Sequence, residues 1–90
     1  MSESSDPTAQ VEVLLPAHLH ARPAGALVQV AARFSSTVEI SYGEKTANAR
    51  SVLAVLGLGA FAGSAVLVRA RGDDASTAVR EIAQILATVQ

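Results

Sequence analysis

Apolar residues recur at every second position up to Leu15 and at every third or fourth position from Ala24 onward, with Pro16 between the two regimes. Side chains alternate across a strand but gather on one helix face at spacings of three and four, so this change of period demands a strand followed by a helix. Val11, Val13 and Leu15, alternating with Glu12 and Leu14, predict a strand that Pro16 closes. Ala24, Leu27, Val28, Ala31 and Phe34 form a single helical stripe. Pro23 narrows the start of that helix. It lacks an N–H and is tolerated only in the first turn, where the amide has no intrahelical partner, so the helix begins at His20 to Arg22.

The period switches again further on. Thr37–Tyr42 alternates, with Val38, Ile40 and Tyr42 on one face; Gly43 and Glu44 make a tight turn, and Lys45–Ala49 returns as a weaker strand. Ser51 precedes Val52, Leu53, Val55 and Leu56 as a helix N-cap, and Gly57 and Gly59 stop that helix after about two turns. Val66, Val68 and Ala70 define a fourth strand. Gly72, Asp73 and Asp74 provide a turn and an N-cap for a long amphipathic helix carrying Ala75, Ala78, Val79, Ile82, Ile85, Leu86 and Val89. The predicted order is β-α-β-β-α-β-α. An α+β class with the helices on one face of a four-stranded, largely antiparallel sheet is the economical way to bury these stripes. Residues 1–9 are polar and read as a disordered leader, and residues 10–90 as a single domain.

Composition excludes several functions. The chain has no cysteine, which removes disulfide frameworks, thiolate metal sites and thiol nucleophiles. A net charge of −1 with 3% aromatic residues offers neither an electrostatic footprint nor stacking platforms for nucleic acid. The uncharged run Ser51–Val68 is interrupted by Gly57, Gly59 and Gly63 and falls short of the ~20 apolar residues a membrane span needs. No secretory signal is recognisable at the N-terminus, and the expectation is a cytoplasmic protein without direct membrane insertion.

Chemistry concentrates in Ala17-His18-Leu19-His20-Ala21-Arg22-Pro23-Ala24. An imidazole stands at the entry of a helix whose first turn Pro23 fixes, with a guanidinium two residues later. Helix N-termini present unpaired N–H groups and the positive end of the dipole, which suit a phosphate. Imidazole is a competent nucleophile, and arginine offers a planar charged fork to phosphoryl oxygens. The combination describes a histidine that takes up a phosphoryl group and holds it on helix amides. His18 and His20 also form an H-x-H pair, but a metal site needs more ligands, and none is expected. The glycines at 57, 59 and 63 follow a helix and precede a strand, the reverse of a dinucleotide fingerprint, so turn chemistry is preferred. Asp73 and Asp74 are read as a helix start and not as a catalytic carboxylate pair.

Leu19-His20-Ala21-Arg22-Pro23-Ala24 resembles the active-site signature of the HPr family, the histidine-containing phosphocarriers of the bacterial phosphoenolpyruvate-dependent sugar phosphotransferase system. Arg50-Ser51-Val52-Leu53 is similar to the family's regulatory-serine segment, and Leu56-Gly57-Leu58-Gly59 to the loop after it. The resemblance implies an open-faced β-sandwich with three helices on one face over about Val11 to Val89. It implies that His20 is phosphorylated on Nδ1, that Arg22 contacts the phosphoryl group, and that Ser51 is a site for a kinase or phosphorylase. It further implies docking through the first two helices at Gly25, Gln29, Val52, Leu53 and Leu56, with Enzyme I and sugar-specific IIA domains as partners. No cofactor is implied, and the chain would be a monomeric co-substrate and not an enzyme. Independently of the family, Val52, Leu53, Val55 and Leu56 are too apolar for one short helix to bury, and an exposed apolar patch suggests a protein partner. One departure is His18, where the family usually has glycine; it adds a second imidazole that can influence His20 or crowd a partner. Alternatives are a paralogue with a regulatory role or one serving a nitrogen-type or dihydroxyacetone kinase branch, and a small-molecule-binding regulatory domain of ferredoxin-like layout.

Overall fold

The computed structural model describes residues 6–90. Its elements are β1 (Thr8–Leu14), α1 (Ala21–Ala31), β2 (Thr37–Tyr42), β3 (Lys45–Asn48), α2 (Val52–Gly57), β4 (Ala65–Arg71) and α3 (Ala75–Ala87). The sheet order is β1-β4-β2-β3, with every neighbouring pair antiparallel. Because β1 and β2 both run against β4, they point the same way and are held apart by it. The link between them through α1 is therefore a crossover, and the later strand β4 fills the gap it leaves.

Alternation decides which face of the sheet is covered. Val13 and Leu15, Val38 and Ile40, and Val66, Val68 and Ala70 point under the helices and are buried. They meet Ala24, Leu27 and Ala31 of α1 and Ala75, Ala78, Val79, Ile82 and Leu86 of α3. Burial of a side chain such as Leu27, Ile40 or Ile82 contributes about 2 kcal/mol by transfer from water alone. The opposite face is open to solvent and carries Glu39 and Arg69, which pair at 3.6 Å. The hairpin forms as the sequence predicts: Tyr42 pairs with Lys45 across Gly43-Glu44, and Gly43 takes the positive φ of 61° that a two-residue turn needs.

Three expectations are corrected. Thr8 and Ala9 belong to β1 and not to a leader, because Thr8 pairs with Arg71 and Ala9 with Ala70; the remainder of the proposed leader up to residue 5 lies outside the described residues. In β1, Val11 is 37% exposed although it shares the inward face with Val13 and Leu15, since the helices cover only one end of this edge strand; Leu14, on the outward face, is 69% exposed in keeping with its alternation. The first helix stops at Ala31, before Phe34, whose amide donates back to the Ala31 carbonyl in a turn.

Asp74 occupies the N-cap position of α3 but does not cap it with its side chain. Its carboxylate instead accepts from the amides of Ser35 and Ser36, both at 2.9 Å, and from the Ser36 hydroxyl. These bonds, the hydroxyl of Ser36 foremost, lower the Asp74 carboxyl from 3.8 to about 2. Ser36 is buried against Gly72, where a Cβ would approach its atoms to 2.6–3.0 Å and φ is 144°. Glycine is required at this crossing. The clasp ties the end of the α1–β2 turn to the start of α3.

Candidate functional site

The segment between β1 and α1 is pinned by backbone bonds to the loop before β4. Leu15 donates to Ser64 (2.9 Å), Gly63 donates to Leu15 (2.8 Å), and Leu19 donates to Ala60 (3.1 Å). Leu19 is buried, and the residues on either side of it are therefore turned outward. His20 has extended φ and ψ of −98° and −172° and supplies the N-cap position of α1, and its side chain makes no cap bond. Its carbonyl does accept from the Ala24 amide (3.1 Å), which starts the helix ladder. Pro23 sits in the first turn as its missing N–H demands. The amides of Ala21 and Arg22 then have no carbonyl in their own helix to donate to.

The His20 ring is oriented from the far end of the chain. Nε2 lies 3.0 Å from the carbonyl oxygen of Gln90. A carbonyl can only accept, so Nε2 carries the proton and the lone pair is on Nδ1. Between α1 and the end of α3 lies a shallow hollow of about 430 Å³, lined by His20, Arg22, Pro23, Ala26, Ile85, Thr88, Val89 and Gln90. Arg22 is exposed and engages no acidic side chain among the described residues. His18 is exposed too, its ring centre 5.5 Å from that of His20 and tilted by 52°. Arranged in this way, the site offers a nucleophilic nitrogen, a free guanidinium and two helix amides at the positive end of a dipole. An anion is held, and a cation repelled, by that set.

The second segment adjoins the first through packing of α1 against α2. Ser51 is the N-cap of α2, as its sequence context predicts, and its hydroxyl accepts from the Ala54 amide at 3.1 Å. Arg50 donates to the Phe34 carbonyl, which fastens this turn to the end of α1. On α2 only Val55 is fully buried; Leu53 is 82% exposed, Val52 is exposed and Leu56 is half-buried. On α1, Gln29 is exposed, and a Cβ added at Gly25 would meet nothing within 4 Å. Phe61 is a further exposed apolar side chain, stacked edge-on against Tyr42 at 6.3 Å. Sequence reasoning did not single it out. It also missed Gln90, which nothing local announces, and it placed Ile85 in the core although that residue is only partly buried and lines the hollow beside His20. Among the described residues no group of three or more His, Cys, Asp or Glu could hold a metal ion, and no helix is long and apolar enough to cross a membrane.

Comparison with known proteins agrees with this arrangement. A family model described as the PTS HPr component phosphorylation site matches residues 7–88. The phosphocarrier protein HPr of Lysinibacillus sphaericus is 39% identical over 79 residues, spanning 88% of this chain and 90% of the relative. That of Buchnera aphidicola subsp. Acyrthosiphon pisum is 33% identical over 81 residues, spanning 90% of this chain and 95% of the relative. The crystal structure of a phosphocarrier protein HPr from Bacillus anthracis str. Ames superposes with a TM-score of 0.79 at 32% identity, covering 92% of this chain and 99% of that one. Strand order, the uncapped helix behind His20 and these matches over nearly the whole length lead to one family: the chain belongs to the HPr phosphocarrier proteins.

Proposed function

We propose that this chain is a phosphoryl carrier in which His20 accepts phosphate from a phosphohistidine of Enzyme I and passes it to sugar-specific IIA domains. The observation that carries the reading is the bond from His20 Nε2 to Gln90, which leaves the Nδ1 lone pair free on the residue that opens α1, with Arg22 lining the same hollow. In the accepting step Nδ1 attacks phosphorus as the donor's N–P bond breaks, and the electron pair returns to the donor ring. Positive charge builds on the His20 ring, and the Gln90 carbonyl, accepting from Nε2–H, supports it. Arg22 and the amides of Ala21 and Arg22 take the phosphoryl oxygens, so the contribution of the chain is positioning and charge, completed by the partner. The donating step is the same sequence reversed toward the next acceptor. The chain is thus a reactant in both steps, works in the cytoplasm as a monomer, and needs no cofactor.

Docking on this reading uses Gly25 and Gln29 of α1 with Val52, Leu53 and Leu56 of α2. The exposure of Leu53 and Val52 supports it, since apolar surface on a small domain is stabilised by a partner. Gly25 supports it as well: a glycine inside a helix costs stability, and the open space above it leaves no internal reason for one. Ser51 is the regulatory position, where a kinase would add negative charge at the start of α2, beside the docking residues. The test is incubation with phosphoenolpyruvate and Enzyme I followed by intact mass. An acid-labile gain of one phosphate that His20→Ala abolishes is the expected result; no gain, or a gain that survives the substitution, defeats the reading.

A further inference from the structure

His18 has no part in the chemistry set out above, yet the fold brings it to the reacting ring. Leu19 is buried between the two histidines, and the His20 amide donates to the His18 carbonyl at 3.1 Å, which turns both imidazoles to the same side. Their centres are 5.5 Å apart. The Nε2 edge of His20 is taken by Gln90, and the hollow there is lined by Ile85, Thr88 and Val89 and not by His18. The surrounding charge decides what such a pair can hold. Arg22 and the uncapped N-terminus of α1 are both positive, which works against a metal cation and in favour of a dianion.

We propose that His18 is a phosphoryl-holding residue, donating a ring N–H to an oxygen of the phosphoryl group on His20 and thereby lengthening the life of the phosphorylated carrier. The inference rests on His20 being the acceptor. A phosphoryl group on Nδ1 projects its oxygens beyond the ring, and a second imidazole at this separation comes within the ~2.8 Å of a charge-assisted hydrogen bond. Loss of the phosphate is hydrolysis: a water oxygen bonds to phosphorus, the Nδ1–P bond breaks with its electron pair returning to the ring, and the water protons pass to solvent as inorganic phosphate leaves. In a loose transition state the departing phosphoryl oxygens carry less charge than in the ground state, so a donor aimed at them stabilises the bound phosphate more than the transition state and slows its loss.

The experiment measures the half-life of the phosphorylated protein by ³¹P NMR for the natural chain, His18→Ala and His18→Gln. Each is phosphorylated in parallel by Enzyme I with phosphoenolpyruvate and by potassium phosphoramidate, with His20→Ala as the control for the site modified. Loss of one hydrogen bond to a charged group predicts a half-life about fivefold shorter in His18→Ala. His18→Gln, which keeps an amide donor at similar reach, restores most of it. The His18 ring ¹⁵N resonances of the natural chain move on phosphorylation of His20. Half-lives within twofold of each other, a loss that His18→Gln fails to restore, or unmoved His18 resonances would overturn the inference. Transfer from phosphoramidate but not from Enzyme I would defeat the carrier reading while the half-lives still judge His18.

Discussion

The N-termini of α1 and α2 face the same physical problem and solve it differently. Both helices begin after an extended residue, both have amides without intrahelical partners, and neither has an acidic residue in its first turn. At α2 the Ser51 hydroxyl accepts from the Ala54 amide and closes the end. At α1 the equivalent place is held by His20, whose side chain turns away to Gln90 and leaves the end open. A capping side chain is worth about 1 kcal/mol, so the open end of α1 gives up stability that the closed end of α2 keeps. The difference teaches where to look for chemistry in a small domain: at the helix end that is left unsatisfied.

The most drastic way to break this contrast is to cap α1. His20→Asp supplies a carboxylate to the free amides; acceptance of phosphate falls to nothing by intact mass, while the melting temperature rises by several degrees, as ~1 kcal/mol predicts for a domain of this size. The converse is Ser51→Ala, which opens α2 and lowers stability by about 1 kcal/mol in a denaturant titration. A third helix end sharpens the rule. Asp74 stands at the N-cap of α3 but serves Ser35 and Ser36, and its carboxyl is depressed from 3.8 to about 2. A depressed folded value means that this contribution is complete above the unfolded value and is lost as pH falls from about 4 toward 2. Unfolding midpoints followed across that window fall in the natural chain, and in Asp74→Asn that part of the fall is absent. The smallest effect is at Gly25, where Gly25→Ala stabilises α1 by up to ~1 kcal/mol because its methyl meets only open space. On the docking reading the same methyl weakens phosphorylation by Enzyme I, which is read as a higher concentration of carrier needed for half-maximal rate.

What was legible in the sequence is what neighbouring residues decide. Pro23 with Ala24, Leu27 and Ala31 located the start of α1, Ser51 before an apolar run located α2, and Gly43 located the hairpin, because period, cap and turn chemistry act over a few residues. The candidate segments at His20 and Ser51 stand out in the sequence for the same reason. What escaped depends on distant partners. Asp74 reads as a cap from its neighbours, but the amides that claim its carboxylate come from a turn some forty positions earlier. The proton on His20 Nε2 is set by Gln90, at the opposite end of the described chain. Thr8 and Ala9 look like a polar leader until β4 offers them a strand to pair with. Val11 is exposed because no helix covers its end of β1, a matter of where the helices lie and not of its own alternation.

The position of β4 between β1 and β2 has a consequence for how the molecule comes into being. Of the four strands β4, one of the two inner ones, is the last to leave the ribosome, and the two strands it joins must wait for it unpaired with each other. Loop closure over such separations is entropically costly and slows folding relative to a protein of local contacts. The loop that carries His20 waits as well, because its anchors are the carbonyls of Ala60 and Ser64 and the amide of Gly63. A partly synthesised chain therefore has the histidine but not the cradle. The site around His20 is assembled only when the fold is nearly complete, and on the carrier reading a truncated product is unable to draw phosphate out of a relay.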